Sequence, residues 1–252
     1  MHIPKWVFPV LLGAVILGLW ILSGVLYPAN SYALPQPQSV VKRLYDGIAA
    51  GYLVSALSQT LRESLLGCCL AALVSIPLGI LIARFRFVSA AVEPYLAASQ
   101  AIPAVAVAPL LVIWIGYGTL PIVVLCAIIV SFPIVINTAV GIRSIDADIV
   151  EAARLDGADG IKLLVYLEIP LASPSVLAGL RNGFTLAVTG AVVGEMVIGG
   201  NDGMGIRLMS FQQTGDTAGM FSCIALLAAA AVGIYSVLRF LENRSVKSVS
   251  KN

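Results

Sequence analysis

The chain has 252 residues, of which 59% are hydrophobic and only 11% are charged, and its mean hydropathy is +0.97. Soluble domains average about 25% charged residues, because their surface needs polar groups. The composition therefore excludes an ordinary soluble domain and predicts a polytopic membrane protein. A formal net charge of +2 with scattered Lys and Arg gives no indication of a nucleic-acid partner.

Six apolar runs follow one another along the chain, each close to the roughly 20 residues that a spanning helix needs. They cover residues 7–27, 65–83, 94–115, 120–140, 174–199 and 218–238. The first run is longer than the apolar part of a signal peptide and closes on Tyr27 and Pro28, which favours an uncleaved span. We therefore predict an all-α membrane protein with six transmembrane helices.

The connections differ in character. Residues 28–43 are rich in Pro, Gln and Ser and predict an extended loop, whereas residues 44–64 suit a helix lying at the membrane interface. We expect Arg62 and Glu63 to form an interfacial pair at the outer face.

Pro103 and Pro109 interrupt the third run and predict a kinked helix. The predicted division is an N-terminal helix and loop (1–43), a core of five spans (44–241) and a tail (242–252).

Lys and Arg indicate the orientation. With the N-terminus in the cytoplasm, the inside segments hold ten Lys and Arg and the outside segments hold four. Both termini are therefore expected in the cytoplasm. The same count places the charged segment 141–173 there as a loop.

This cytoplasmic loop is predicted to contain a short helix that begins near Asp148, which can cap it, and stops at Gly157. Pro170 and Pro174 are expected to mark re-entry into the membrane. Small residues would let the groove of another protein approach closely; they are Ala152, Ala153, Gly157 and Ala158. The alternative is a solvated loop that contains one helical turn.

The sequence EAARLDGADGIKLLVYLEIP, residues 151–170, resembles the signature of the permease subunits of ATP-binding-cassette (ABC) importers. The Glu, both Ala, the Gly and the Pro match at the family's spacing, while Leu167 and Ile169 replace its usual Ile and Leu. Residues 101–118, 172–181 and 191–205 resemble the nitrate, taurine and sulfonate branch of these permeases. The resemblance covers residues 44–241 and implies the type I importer permease fold.

In that family the loop forms a coupling helix that docks into a cleft of a separate cytoplasmic ATPase. The resemblance implies this role for Glu151, Ala152, Ala153 and Gly157, with Pro170 closing the loop. The chain has no phosphate-cradling GxxxxGK[ST] loop, so the partner is expected to bind the ATP. The resemblance also implies an extracytoplasmic substrate-binding protein and a second permease copy, with lipid around the assembly in a prokaryotic cytoplasmic membrane.

The fifth predicted span carries a polar stripe. Arg181, Thr185 and Thr189 recur at helical spacing, with Asn182 beside them, and predict part of a translocation path. The alternatives are an arginine that extends to the interface and threonines bonded to their own helix. Glu195 is either interfacial or in contact with substrate or a second copy. Asn137, together with the prolines of the third and fourth runs, is a further cavity candidate.

Three functions remain open at this stage. The first is a non-enzymatic importer permease for a small nutrient, such as riboflavin, a thiamine precursor, a sulfonate, taurine or nitrate. The second is an ion-coupled secondary transporter or channel, which would need buried acid or histidine relays. The third, a membrane enzyme, lacks a nucleophile with a base, because His2 is the single histidine. The four cysteines lie in apolar runs and are expected to pack as small apolar residues.

Overall fold

The computed structural model describes residues 7–26, 33–200 and 202–249. Within these ranges the chain is a succession of helices without a strand. The helices are α1 (Val7–Leu26), α2 (Pro37–Ala49), α3 (Tyr52–Arg84), α4 (Arg86–Ala101), α5 (Ala104–Ile115), α6 (Thr119–Arg143), α7 (Ala147–Leu155), α8 (Gly160–Leu163), a π-helical turn (Leu164–Glu168), α9 (Ile169–Ile198), α10 (Met204–Thr214) and α11 (Thr217–Val249). The outermost residues of both predicted cytoplasmic ends, 1–6 and 250–252, lie outside the described residues, as do residues 27–32 of the predicted outer loop.

Four helical stretches are long and apolar enough to cross a membrane: Tyr52–Arg84, Thr119–Arg143, Gly160–Ile198 and Thr217–Val237. They confirm four of the six predicted spans. Helices α4 and α5 meet at an angle of 101° and make a fifth span if the pair crosses as one. Helix α1 has 20 residues and coincides with the first predicted run. That this helix spans the membrane stays a prediction.

The predicted interfacial helix over residues 44–64 is wrong in its boundaries. Helix α2 ends at Ala49, and Gly51 adopts a left-handed conformation with φ of +81°. This turn suits glycine, which has no Cβ to clash there. The chain then enters α3 at once, so residues 52–64 belong to the spanning helix.

The kink predicted at Pro103 is a complete break between α4 and α5. Ile102 is extended, with φ of −84° and ψ of 119°, as expected for a residue before proline. A cavity of about 170 Å³ lies at this break, and Ser99, Gln100 and Leu125 are among the residues that line it. Pro109 causes no such break, because it lies inside α5.

The core is formed where α3, α6 and α9 pack against one another. Fully buried apolar side chains of α6 and α9, including Leu125, Val130, Ile134 and Ala187, fill its centre. Glycines allow the helices to approach closely, as is common in membrane bundles. A Cβ on Gly79 of α3 would lie 2.7 Å from Thr138 Cβ and 2.8 Å from the Val135 carbonyl oxygen of α6.

We expect Gly79→Val to destabilise the bundle, because the added side chain would meet Thr138 Cβ and the Val135 carbonyl oxygen, and neither atom can move without moving α6. Overpacking of a close contact typically costs about 1–3 kcal/mol. The midpoint of thermal unfolding in detergent measures the effect. Gly18→Val in α1 is the matched control, since nothing lies within 4 Å of a Cβ there. Equal midpoints for the two variants would contradict the packing argument.

All four cysteines are free thiols. Cys68, Cys126 and Cys223 are buried among apolar side chains, as predicted, whereas Cys69 is exposed. Among the described residues, no group of three or more His, Cys, Asp or Glu side chains could hold a metal ion.

Candidate functional site

Helix α7 lies between α6 and α8 and contains the signature residues Glu151, Ala152 and Ala153. Its N-terminus is capped by Asp146, whose Oδ1 accepts a hydrogen bond of 3.0 Å from the backbone N–H of Asp148. The prediction that Asp148 caps the helix is therefore wrong by two residues. Asp148 lies instead in the first turn, where its negative charge is favoured by the helix dipole.

The end of α7 explains the spacing between the alanines and Gly157. The Ala158 N–H donates to the Ala153 carbonyl at 2.9 Å, and the Gly157 N–H donates to the Arg154 carbonyl at 3.0 Å. These two bonds, with Gly157 at φ of +85°, form a Schellman cap, which requires a left-handed residue four positions after Ala153. The predicted stop at Gly157 is confirmed, and it gives the helix end a fixed shape.

The surface of this region is apolar as well as charged. Glu151 and Ala152 are exposed, and none of the residues of α7 is buried. Leu155 at the end of α7 is 90% exposed, Ile161 of α8 is 78% exposed and Tyr166 of the π-helical turn is 80% exposed. Large apolar side chains left exposed in a charged segment indicate a contact surface for another protein or for the membrane.

The predicted loop over residues 141–173 is mostly helical, which is a second correction. Only residues 144–146 and 156–159 stand outside helices, and the stretch Gly160–Ile198 runs on into the membrane. Pro170 therefore lies in the first turn of α9 and does not close a loop, and Pro174 lies inside α9. The π-helical turn before Pro170, where the Ile169 N–H bonds to the Leu164 carbonyl, widens the helix and accommodates the proline.

Arg84 at the end of α3 attaches this region to the bundle, and Arg143 at the end of α6 joins α6 to α3 and α4 beside it. Neither role was predicted from the sequence. Arg84 pairs with Glu168 of the π-helical turn at 2.9 Å, and its Nη2 donates to the Gly160 carbonyl at 3.1 Å. Arg143 donates to the Ile82 carbonyl at 2.8 Å and pairs with Glu93 of α4. The partners are 50 to 84 positions apart, so no local pattern indicates them.

A buried polar cluster joins α3, α9 and α10 at the opposite end of the bundle. The Glu195 carboxylate accepts a hydrogen bond from the Thr60 hydroxyl at 2.6 Å and another from the Gly205 N–H at 2.6 Å. The Met204 N–H donates to Thr60 Oγ1 at 2.9 Å. A Cβ on Gly203 would overlap the Glu195 carboxyl group, so glycine is needed where α10 begins.

Two sequence expectations fail in this cluster. Glu195 is 1% exposed and Glu63 is 2% exposed, so neither is interfacial. Glu63 Oε1 accepts a hydrogen bond of 2.8 Å from Gln59, one turn earlier, instead of pairing with Arg62. The physical reason for Glu195 is that the start of α10 packs against it and supplies the backbone donor of Gly205, which a stretch of Gly and Met does not predict.

The polar stripe of α9 faces α11. Thr185 and Thr189 line an open groove of about 390 Å³ between these two helices, and Leu208 of α10 lies at the same groove. The Arg181 guanidinium stacks 5.0 Å from the ring centre of Tyr235 on α11. Arg181, Thr185 and Thr189 therefore share one face as predicted, and Thr185 also bonds the Arg181 carbonyl at 3.1 Å.

The other candidates for the path lie elsewhere. Asn182 is exposed beside the stripe and does not line the groove. Asn137 of α6 packs its Cβ side against Gly179 and donates a hydrogen bond of 2.8 Å to the Pro133 carbonyl, which closes a turn of its own helix. Glu195 belongs to the buried cluster.

Comparison with known proteins identifies the family. Residues 75–248 match the model of the binding-protein-dependent transport system inner membrane component family. The chain belongs to this family. It is 40% identical over 226 residues to the riboflavin transport system permease protein RibX of Chloroflexus aurantiacus, covering 90% of this chain and 82% of that protein. It is 34% identical over 239 residues to the formylaminopyrimidine transport permease protein ThiX of Halalkalibacterium halodurans, covering 93% of each.

The fold is that of solved ABC importer permeases. An inward-facing structure of the MetNI methionine ABC transporter superposes with a TM-score of 0.66, at 19% identity, covering 79% of this chain and 96% of the other. The protein is thus a non-enzymatic, membrane-embedded permease subunit of an ABC importer. Its family works with an ATPase and a substrate-binding protein, so the ion-coupled transporter or channel is set aside.

Proposed function

We propose that α7 and α8 form the coupling site, at which this permease receives the movement of its ATPase in the cytoplasm. The observation that supports this role is the rigidly capped, protruding end of α7, with Leu155 exposed beside Glu151 and Ala152. A large apolar side chain that is left exposed to solvent indicates a contact surface for another molecule. Gly157, Ala153 and Ala158 act by fixing the shape of this end.

The orientation and the oligomeric state belong to the same proposal. Arg84, Arg143 and the charged α7 lie at one end of the bundle, which we place in the cytoplasm with both termini, following the excess of Lys and Arg there. The groove lined by Thr185 and Thr189 opens outward from a single chain. A second copy of this permease would close it and complete the path, with Arg181 at its cytoplasmic end.

For the substrate we propose an uncharged, planar heterocycle, of the kind represented by riboflavin or a pyrimidine precursor of thiamine. Two named relatives transport riboflavin and formylaminopyrimidine. The groove supports this choice, because two threonines are the polar residues among its otherwise apolar lining. A sulfonate or nitrate would need a cation beside the threonines, since burying an anion without a partner is costly. Arg181, at the end of the path, stacks on Tyr235 and is not among the residues that line the groove.

The test is uptake by the assembled transporter. The permease is reconstituted in vesicles with its cognate ATPase and supplied with the cognate binding protein outside. We expect ATP-dependent accumulation of radiolabelled riboflavin or formylaminopyrimidine at least 10-fold above that of taurine and an alkylsulfonate. Vesicles that hold ADP instead of ATP are the control. Accumulation of the sulfonate alone would contradict the substrate proposal, and accumulation that persists without ATP would contradict the importer.

A further inference from the structure

Helix α7 needs a route by which its movement reaches the membrane helices. None of its residues is buried, and two glycines with positive φ follow it, Gly157 at +85° in the turn and Gly160 at +54° at the start of α8. The covalent route through this turn leads only to α8 and α9. A second route, across space, is provided by Arg84 at the end of α3.

The Arg84 guanidinium holds both ends of the stretch between residues 160 and 168. Nη2 donates to the Gly160 carbonyl at 3.1 Å, and Nε and Nη2 contact Glu168 Oε2 at 3.0 and 2.9 Å. The side chains of Arg84 and Glu168 are 25% and 10% exposed, so water screens this ion pair only partly. Leu163, between the two ends, is 3% exposed and packs inward.

Helix α3 continues from this pair to the opposite end of the bundle. The 24 residues from Thr60 to Arg84 span about 36 Å at the helical rise, close to the thickness of a bilayer. At the far end, Thr60 bonds both Glu195 and the backbone of Met204 at the start of α10. One helix thus connects the region next to α7 with the segment that covers the other end of the groove.

From these contacts we propose that the Arg84–Glu168 pair is the positioning element that transmits movement of α7 and α8 through α3 to α10. The proposal rests on the proposed coupling site and adds a second, non-covalent route to it. The π-helical turn at Leu164–Glu168 supports the assignment, because such turns recur at functional positions and are less regular than an α-helix. Without the pair, α8 would move with α9 alone.

The first experiment uses the permease alone in detergent micelles, with hydrogen exchange of backbone amides as the readout. We expect Arg84→Gln and Glu168→Gln to speed exchange of residues 160–168 at least 10-fold. Arg86→Gln, which removes an exposed arginine two positions further on, is the matched control and should change nothing there. Arg84→Lys, which keeps the charge and loses the two-nitrogen geometry, should give an intermediate increase and retains the fold. Unchanged exchange in the Arg84 variants would overturn the proposal.

The second experiment adds the ATPase and a non-hydrolysable ATP analogue to the permease. In the native protein we expect nucleotide binding to change exchange of residues 203–207, at the start of α10. In Arg84→Gln the ATPase should still co-purify, because the exposed face of α7 is intact, and the response at residues 203–207 should fall at least fivefold. A full response in Arg84→Gln, or none in the native protein, would overturn the transmission proposal. Failure of the ATPase to associate at all would instead contradict the coupling site, while the first experiment still decides the pair.

Discussion

Replacing Leu155 by Asp is expected to weaken binding of the ATPase by about 30-fold or more. Leu155 is 90% exposed and protrudes from the end of α7, so in the free permease it contributes little packing. In a complex it would be the apolar anchor, and loss of such an anchor typically costs about 2 kcal/mol or more. Introducing a carboxylate into a cleft that fits leucine adds a desolvation penalty. Co-purification of tagged permease with ATPase, followed by titration, measures the affinity.

Tyr117 provides the matched control for this prediction. It is 83% exposed, in the turn before α6 at the opposite end of that helix from Arg143 and α7. Tyr117→Asp makes the same kind of change and should leave ATPase binding unaltered. The melting temperatures of both variants should equal that of the native protein. If Leu155→Asp binds the ATPase as tightly as Tyr117→Asp does, α7 does not dock the ATPase.

The sequence is informative where its signal is local. Apolar runs predicted four of the spanning helices, and Gly157 predicted the end of α7, because a Schellman cap is completed within six residues. Residues 52–64 were misplaced for the opposite reason. Their polar side chains indicate an interface when the segment is taken alone, but α10 covers part of this surface, and Thr60 and Glu63 are buried.

The pairs that hold the site together could not be predicted. Arg84 and Glu168 are 84 positions apart, and Thr60 and Glu195 are 135 apart. Each of these residues is a charged or polar group near the end of an apolar run. A residue at the membrane interface has the same local pattern. The choice between a buried partner and water depends on how the helices pack, and periodicity carries no information about this.

The buried polar cluster of α3, α9 and α10 gives the second large effect, because Glu195 accepts hydrogen bonds from two donors that have been removed from water. We expect Glu195→Ala to destabilise the protein by about 2–5 kcal/mol, since the Gly205 N–H would lose its buried acceptor, the Thr60 hydroxyl would keep only the Ala56 carbonyl, and the side chain would leave a cavity. The loss of structure should begin in α10. Hydrogen exchange of residues 203–214 should rise before the bundle melts, because these bonds fix the start of α10.

Glu195→Gln separates the role of the hydrogen bonds from that of the charge. Its Oε1 can accept from the Gly205 N–H, and its amide can donate to Thr60 Oγ1 while the Thr60 hydroxyl turns to the Ala56 carbonyl 3.1 Å away. The Gly205 N–H and the Thr60 hydroxyl then both remain paired, so Glu195→Gln should keep most of the thermal stability, and hydrogen exchange in α10 should stay slow. Met196→Ala, a truncation at the adjacent, 39% exposed position, is the control for shortening a side chain on α9. Equal loss of α10 protection in Glu195→Gln and Glu195→Ala would show that the carboxylate charge, and not the bonding geometry, holds α10 against α3 and α9.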